Sequence, residues 1–313
     1  MYLEKEMTGQ SIGLDFLFPL NFRGTINLDK MVLFEQRDEL LLQAYVPGIK
    51  IAEPTGKKNS ASHLFTVNHH HSKNKRILQK EKDLFIFDDW SEEIPLYLFH
   101  LIYSICHKTW LENDCYAVHS ACVGKNNSWS LLVGHSGVGK TTVMLDLLNN
   151  HGWEMFSSNK TLLKFNQNSS LETLAGTTTI TCRESDRTMQ IIPINPEIIF
   201  LDRFMYTLPE KYSQPKQKNQ IKKIYLIGLN PAVKEYEQLN NFEALVALYP
   251  FFLDCINYDI LLFKGSNLYD GTPSDPEIKK RLLKNMKKQL HSLDVYSLKG
   301  SLDFVSNIIN EQL

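Results

Sequence analysis

The sequence predicts an α/β protein: a phosphate-loop core on a mixed, largely antiparallel sheet, preceded by a small strand-rich N-terminal region. Three observations carry that prediction. The stretch Gly134-His135-Ser136-Gly137-Val138-Gly139-Lys140-Thr141-Thr142 contains the pattern G-x-x-x-x-G-K-[ST], ending at Thr141. It lies between an apolar strand pattern, Trp129-Ser130-Leu131-Leu132-Val133, and an apolar helix pattern, Val143-Met144-Leu145-Asp146-Leu147-Leu148. A hairpin pattern precedes the loop and short β-rich runs follow it, which argues against an all-parallel sheet.

The totals set the frame. The chain has 313 residues, 43% of them hydrophobic and 22% charged, an ordinary globular composition long enough for one large domain or two smaller ones. A formal net charge of −1 argues against the nucleic-acid backbone as the main partner. The five cysteines (Cys106, Cys115, Cys122, Cys182, Cys255) include no C-x-x-C pair and mostly sit in apolar runs, so buried reduced thiols are expected rather than disulfides or zinc. Met1-Tyr2-Leu3-Glu4-Lys5-Glu6 is not read as the start of a signal peptide. The most apolar long stretch, Ile94 to Leu111, is too short and too polar (His100, His107, Lys108) for a membrane span. The expectation is a soluble cytoplasmic protein.

Residues 1–90 form the predicted strand-rich region. Ile12 to Phe18, Met31 to Phe34 and Leu40 to Val46 are rich in β-formers and stop at Pro19, Arg37-Asp38 and Pro47-Gly48. Between Glu53 and Lys82 the chain turns polar and basic, so His69-His70-His71 reads as part of a solvated hairpin loop rather than a metal site, with no Cys or Asp at ligand spacing. Leu84 to Phe87 is a clearer strand.

Residues 91–313 form the predicted nucleotide-binding domain. Ser91 to Asn113 reads as a helix, capped by Ser91 and apolar nearly all round, hence buried between the two regions, with His100 and His107 as core histidines on one face. Cys115 to Val123 and Trp129 to Val133, joined by Gly124-Lys125-Asn126-Asn127-Ser128, read as a hairpin feeding the glycine loop. Met155-Phe156, Leu162 to Phe165 and Thr177 to Cys182 read as short strands. Lys211 to Lys223, with five lysines and no acid, reads as a solvated mobile loop, with a lid as the functional alternative. Lys223 to Ile227 is a strand, Phe242 to Leu253 mostly helix, Pro276 to His291 an amphipathic helix, Leu293 to Leu298 a strand and Ser301 to Leu313 a closing helix.

The glycine loop points to phosphate chemistry for a physical reason. Glycines let the backbone curl until successive N–H groups face one anion, and the following helix adds the positive end of its dipole. Lys140 supplies a point charge for the β- and γ-phosphates, and the Thr141 hydroxyl can ligate Mg2+. The nucleotide-contacting set is therefore Gly134, His135, Ser136, Gly137, Val138, Gly139, Lys140, Thr141 and Thr142.

Ala117-Val118-His119-Ser120-Ala121, a turn, Leu131-Leu132-Val133 and then the glycine loop together resemble the HPr kinase/phosphorylase group, and more closely the HPr-kinase-like proteins of biosynthetic contexts. The closing helix, Val295-Tyr296-Ser297-Leu298 and final helix are similar too. The resemblance spans residues 115–313 and is strongest in its first part. It implies a phosphoenolpyruvate-carboxykinase-like nucleotide-binding fold, ATP rather than GTP, and homo-oligomeric assembly. It also implies that His119 lies near the phosphates and assists catalysis. The group carries paired aspartates after the loop helix, acting as base and Mg2+ holder. Here that place reads Ser158-Asn159-Lys160, and the group's arginine-glycine step reads Ala175-Gly176.

Phosphoryl transfer needs positioning, charge neutralisation and one group to take the acceptor proton. Asn159 can ligate Mg2+ through its amide oxygen, and Lys160 can neutralise transition-state charge. The base then falls to His119 or to a carboxylate from Glu184, Asp186 or Asp202. Asp202 ends Ile198-Ile199-Phe200-Leu201 in the manner of a Walker B strand. Arg183, Arg187 and Arg203 are candidate clamps. The expected function is an ATP- and Mg2+-dependent kinase acting on a hydroxyl of a small metabolite or of a peptide or protein serine. The alternatives are a nucleotide-binding sensor or scaffold without transfer activity and, less favoured, a nucleic-acid partner through Lys211 to Lys223.

Overall fold

A computed structural model describes residues 12–29, 34–51, 61–74, 76–80, 82–90, 94–166, 170–183, 198–200, 203–207, 219–253 and 276–312. Its first part is a six-stranded mixed sheet. Strands β1 (Ile12–Phe18) and β2 (Phe22–Leu28) form a hairpin, helix α1 (Gln36–Tyr45) follows, and β3 (Lys50–Ile51), β4 (Ser62–His71), β5 (Arg76–Lys80) and β6 (Asp83–Asp88) complete the order β3-β1-β2-β4-β6-β5. The β2–β4 and β4–β6 pairs are parallel; the others are antiparallel.

Two expectations fail in this region. Leu40 to Val46 is not a strand: Leu40 to Tyr45 lie in α1, whose start is fixed by a capping box in which Glu35 and Asp38 each satisfy the other's backbone N–H. Arg37-Asp38, read as a stop, is the first turn of that helix. Residues 31–33 of the expected strand Met31 to Phe34 lie outside the described residues. The histidine run is not a solvated loop either. It ends β4, where alternation buries His69 (3% exposed) on the face of Phe65 and Val67 and against Trp90, the rings stacked 3.8 Å apart, while His71, the last residue of the strand, is exposed.

Helix α2 (Leu96–Glu112) starts after Pro95 and lies across this sheet. Phe99, Ile102 and Trp110 share one apolar cluster with Leu42 of α1 and Phe16, Ile26, Val67 and Ile86 of the sheet. The same cluster continues into Ala117, Leu162 and Met205, so the first region is packed onto the second through a dry core.

The second part contains β7 (Cys115–Val118), β8 (Ser120–Lys125), β9 (Ser128–Val133), α3 (Lys140–His151), β10 (Glu154–Ser157), β11 (Thr161–Phe165) and β12 (Leu171–Gly176). A separate three-stranded antiparallel sheet follows: β13 (Thr179–Arg183), β14 (Ile198–Phe200) and β15 (Arg203–Thr207), in the order β13-β15-β14. The chain then gives β16 (Gln220–Leu229), β17 (Glu235–Gln238), α4 (Asn241–Phe252), α5 (Pro276–Gln289), β18 (Asp294–Gly300) and α6 (Leu302–Glu311).

Nine of these strands make one sheet, β10-β8-β9-β16-β12-β11-β7, with β18 also on β16 and β17 on β18. Only β16–β9 and β16–β18 are parallel, so the sheet is mixed and largely antiparallel, as expected. Period-2 alternation splits its apolar residues between two layers. Leu132 and Tyr225 face α3 and α6, with Val143, Leu147, Val305 and Ile309; Leu131, Val133 and Ile224 face α4 and α5, with Leu248, Phe252, Leu282 and Met286.

Cys115 to Val123 is not one hairpin arm. It breaks at His119 into β7, paired with β11, and β8, paired with β9 and β10. The expected loop Lys211 to Lys223 is described only at its end. Residues 211–218 lie outside the described residues, and Gln220 to Lys223 begin β16. No helix among the described residues is long and apolar enough to cross a membrane. Cys106, Cys115 and Cys122 are buried free thiols and Cys182 is buried; Cys255 lies outside the described residues.

Candidate functional site

The glycine loop joins the end of β9 to the start of α3. Its curl depends on bare backbone. A Cβ on Gly134 would lie 2.9 Å from the Ile227 carbonyl oxygen, and one on Gly139 would lie 2.4 Å from Leu229 Cδ1. Gly139 also caps α3 with φ +98°, a conformation costly for any side chain. Both glycines thus let the loop lie against the end of β16, where the Leu229 N–H donates to the Val138 carbonyl at 2.9 Å. His135, Ser136 and Gly137 are exposed at the tip, Val138 is half-buried, and Thr141 and Thr142 are half-buried on the first turn of α3. The His135 ring lies 5.0 Å from that of Phe251 on α4.

Lys140 is folded back onto this loop. The residue is 7% exposed, and its ammonium donates to the carbonyls of Gly134 at 2.7 Å and His135 at 2.9 Å. A positive charge therefore sits inside the curl, beside the N-terminal end of α3, whose first turn carries no acid. Unsatisfied N–H groups, the helix dipole and this cation all favour an anion at that place.

His119 occupies the bend between β7 and β8 rather than a strand position, and it is half-buried. Burial, and then the positive charges of Lys140 and Lys160 with a smaller effect of His135, push its pKa down to about 3. The bend at residue 119, the glycine loop and the turn at residue 160 are thus near enough for their charges to act on His119. At neutral pH His119 is an uncharged imidazole, able to accept a proton.

The Ser158-Asn159-Lys160 turn joins β10 to β11. Ser158 is 2% exposed, and its hydroxyl donates to the Thr179 carbonyl at 2.8 Å and the Thr177 carbonyl at 3.1 Å. Thr177 Oγ1 accepts the Asn159 N–H at 3.1 Å and the Lys160 N–H at 2.9 Å. Asn159 donates its side-chain amide to the Ala44 carbonyl at the end of α1. Lys160 is buried, with its ammonium 3.8 Å from the centre of the Tyr103 ring on α2. Sequence reasoning missed Thr177, Ala44 and Tyr103. The contacts are non-local, and the one local signal was the spacing of His100, Tyr103 and His107, which sets all three on one face of α2.

Asp202, Glu184, Asp186 and Arg187 lie outside the described residues. The strand before Asp202, β14, belongs to the three-stranded sheet and is not a neighbour of β9. Arg183 and Arg203 are cross-strand partners there. Among the described residues no group of three His, Cys, Asp or Glu side chains is placed to hold a metal ion. In comparisons with known proteins, no family model and no curated protein matches this chain.

Proposed function

We propose that the chain is an ATP- and Mg2+-dependent kinase that transfers the γ-phosphate to a hydroxyl of a small metabolite or of a peptide or protein serine. The observation that carries this reading is the pairing of a glycine loop against the end of β16 with Lys140 inside its curl and His119 and Lys160 beside it. The resemblance of residues 115–313, strongest in their first part, to HPr-kinase-like proteins supports it.

In this reading, residues 134–142 hold the triphosphate. Lys140 leaves the Gly134 and His135 carbonyls to meet the β- and γ-phosphates, and the loop N–H groups take the phosphate oxygens. The Thr141 hydroxyl and the Asn159 amide oxygen are the groups that would hold Mg2+, which would supply charge neutralisation for the transferring group. The acceptor oxygen attacks the γ-phosphorus, its proton passes to His119, and the bond to the β-phosphate oxygen breaks to release ADP. A pKa near 3 makes His119 a weak base in the free protein. The phosphates bring negative charge that offsets Lys140 and Lys160, and so raise it towards neutrality.

A second reading, a nucleotide-binding sensor without transfer activity, has one specific observation in its favour. The Ser158 hydroxyl and the Asn159 side-chain N–H group, at the place of the group's paired acids, are taken up in structural hydrogen bonds. ADP release from Mg-ATP by wild type and Lys140→Ala, with and without a panel of hydroxyl compounds, separates the two. The kinase reading expects acceptor-dependent turnover that falls about 10²–10³-fold in the variant. Nucleotide binding with no turnover across the panel favours the sensor, and no binding at all overturns both.

A further inference from the structure

We propose that Tyr103 is a positioning residue for Lys160: its ring forms the floor on which the ammonium rests, so that a helix packed with the first sheet sets where the site's second lysine points. The inference rests on the kinase reading for its consequence, but its geometry stands apart from that reading. Lys160 Nζ lies 3.8 Å from the centroid of the Tyr103 ring. Both residues are buried, at 6% and 1% exposure, so the ammonium meets the negative ring face where water screens it least.

The ring itself is braced. Tyr103 stacks on His107, ring centres 5.3 Å apart and 16° from parallel, and meets Trp110 edge-on at 6.1 Å. His100, one turn earlier on the same face, is held by Tyr45 of α1 at 4.9 Å. Burial, and then the nearby Lys160 charge, lower the pKa values of His100 and His107 to about 4 and about 3. Both histidines are therefore neutral at physiological pH, and Lys160 brings a positive charge to this face. At the other end of its short turn, Asn159 is tied to Ala44 of α1. Two helices of the first region thus fix the turn that carries Lys160, one by a hydrogen bond and one by a ring.

The consequence is specific. A lysine resting on an aromatic ring keeps the charge that phosphoryl transfer uses and takes its direction from that ring. Losing the floor leaves nucleotide binding by the glycine loop intact and lowers the chemical step.

The test combines a geometric and a kinetic readout on the full chain. With lysines labelled at 13Cε, the Lys160 signal, assigned by its loss in Lys160→Arg, is expected upfield from the ring current in wild type and Tyr103→Phe. It is expected at an ordinary position in Tyr103→Leu. With Mg-ATP and water as acceptor, Tyr103→Leu is expected to lower kcat about 10- to 30-fold with Kd for Mg-ADP changed less than about twofold. Tyr103→Phe restores kcat, and Tyr103→Leu adds nothing in a Lys160→Met background. Should Tyr103→Leu not fold, phenylalanines of increasing fluorination at position 103 keep the shape while draining the ring face, and kcat is expected to fall stepwise.

An ordinary Lys160 shift in wild type overturns the inference. So does a kcat that ignores the ring's electron density, or an equal loss in the Lys160→Met background. Failure of wild type to bind Mg-ATP overturns the kinase reading instead, and the Lys160 signal still decides whether Tyr103 holds it.

Discussion

The side-chain amide of Asn159 donates to the main-chain carbonyl of Ala44 at 3.3 Å, tying the turn between β10 and β11 to the last turn of α1. Close by, the Gly48 N–H donates to the Gly176 carbonyl at 3.2 Å. The first region is therefore built into the wall of the candidate site rather than appended to it.

That contact and its neighbours predict what restoring acids at positions 158 and 159 will do. Ser158→Asp places a carboxylate where a buried hydroxyl donates to two carbonyls, so an acceptor faces acceptors. The expected cost is about 2–5 kcal/mol of stability. Asn159→Asp loses the bond to Ala44, but its charge lies next to Lys160 in sequence, and the expected cost is about 1 kcal/mol. Urea unfolding of both single variants checks this. An unchanged midpoint for Ser158→Asp would mean that position is open to a catalytic acid after all.

Gly139→Ala tests the loop. The new methyl meets Leu229 at 2.4 Å on a backbone with φ +98°, so the loop must leave the end of β16 or the side chain must move. A loss of about 2–4 kcal/mol in stability is expected and, under the kinase proposal, loss of Mg-ATP binding with it. Gly137→Ala is the contrast: its φ is +82°, but its Cβ meets nothing within 4 Å. Only the conformational cost of about 1–2 kcal/mol is expected there. Thermal unfolding and nucleotide titration of the pair separate clash from conformation.

Local signals carried much of the second part. The glycine loop between strand and helix, α4 to α6 and β18 all stand where periodicity and capping put them, with Ser301 accepting the Phe304 N–H at the start of α6. The misreadings have physical causes. Leu40-Leu41-Leu42 is a buried triplet that fits either period, and the deciding feature was the Glu35–Asp38 box, which was read as a break. His69 looked solvated because its neighbours are polar, while strand alternation turns it onto Trp90. The break at His119 was invisible because β7 and β8 are apolar on both sides of it, and only their partners, β11 and β9, distinguish them. The floor under Lys160 joins residues 103 and 160, a pairing that no local pattern encodes.

The histidines predict the response to acid. Burial holds His69, His100, His107 and His119 below their ordinary value, at about 4, 4, 3 and 3 respectively. Positive neighbours add to this, Lys160 for the last three and Lys140 and His135 for His119, while Asp88 and Asp29 partly oppose it at His69. An unfolded histidine titrates near 6.5. Between about pH 4 and 6.5 the unfolded chain therefore binds more protons than the folded one. By linkage, stability rises with pH in that window and is lost as pH falls through it, by up to about 1.4 kcal/mol per pH unit for each histidine. Above pH 6.5, where most of the unfolded histidines are neutral too, this slope fades. Urea unfolding from pH 4.5 to 7.5 is expected to show a steep climb that flattens near 6.5. His107→Leu, which replaces a buried ring whose Nε2 has no hydrogen-bond partner, should lower the slope at pH 5 by about one proton's worth. A flat profile between pH 5 and 6.5, or a slope unchanged in His107→Leu, would show that these rings reach water in the folded protein.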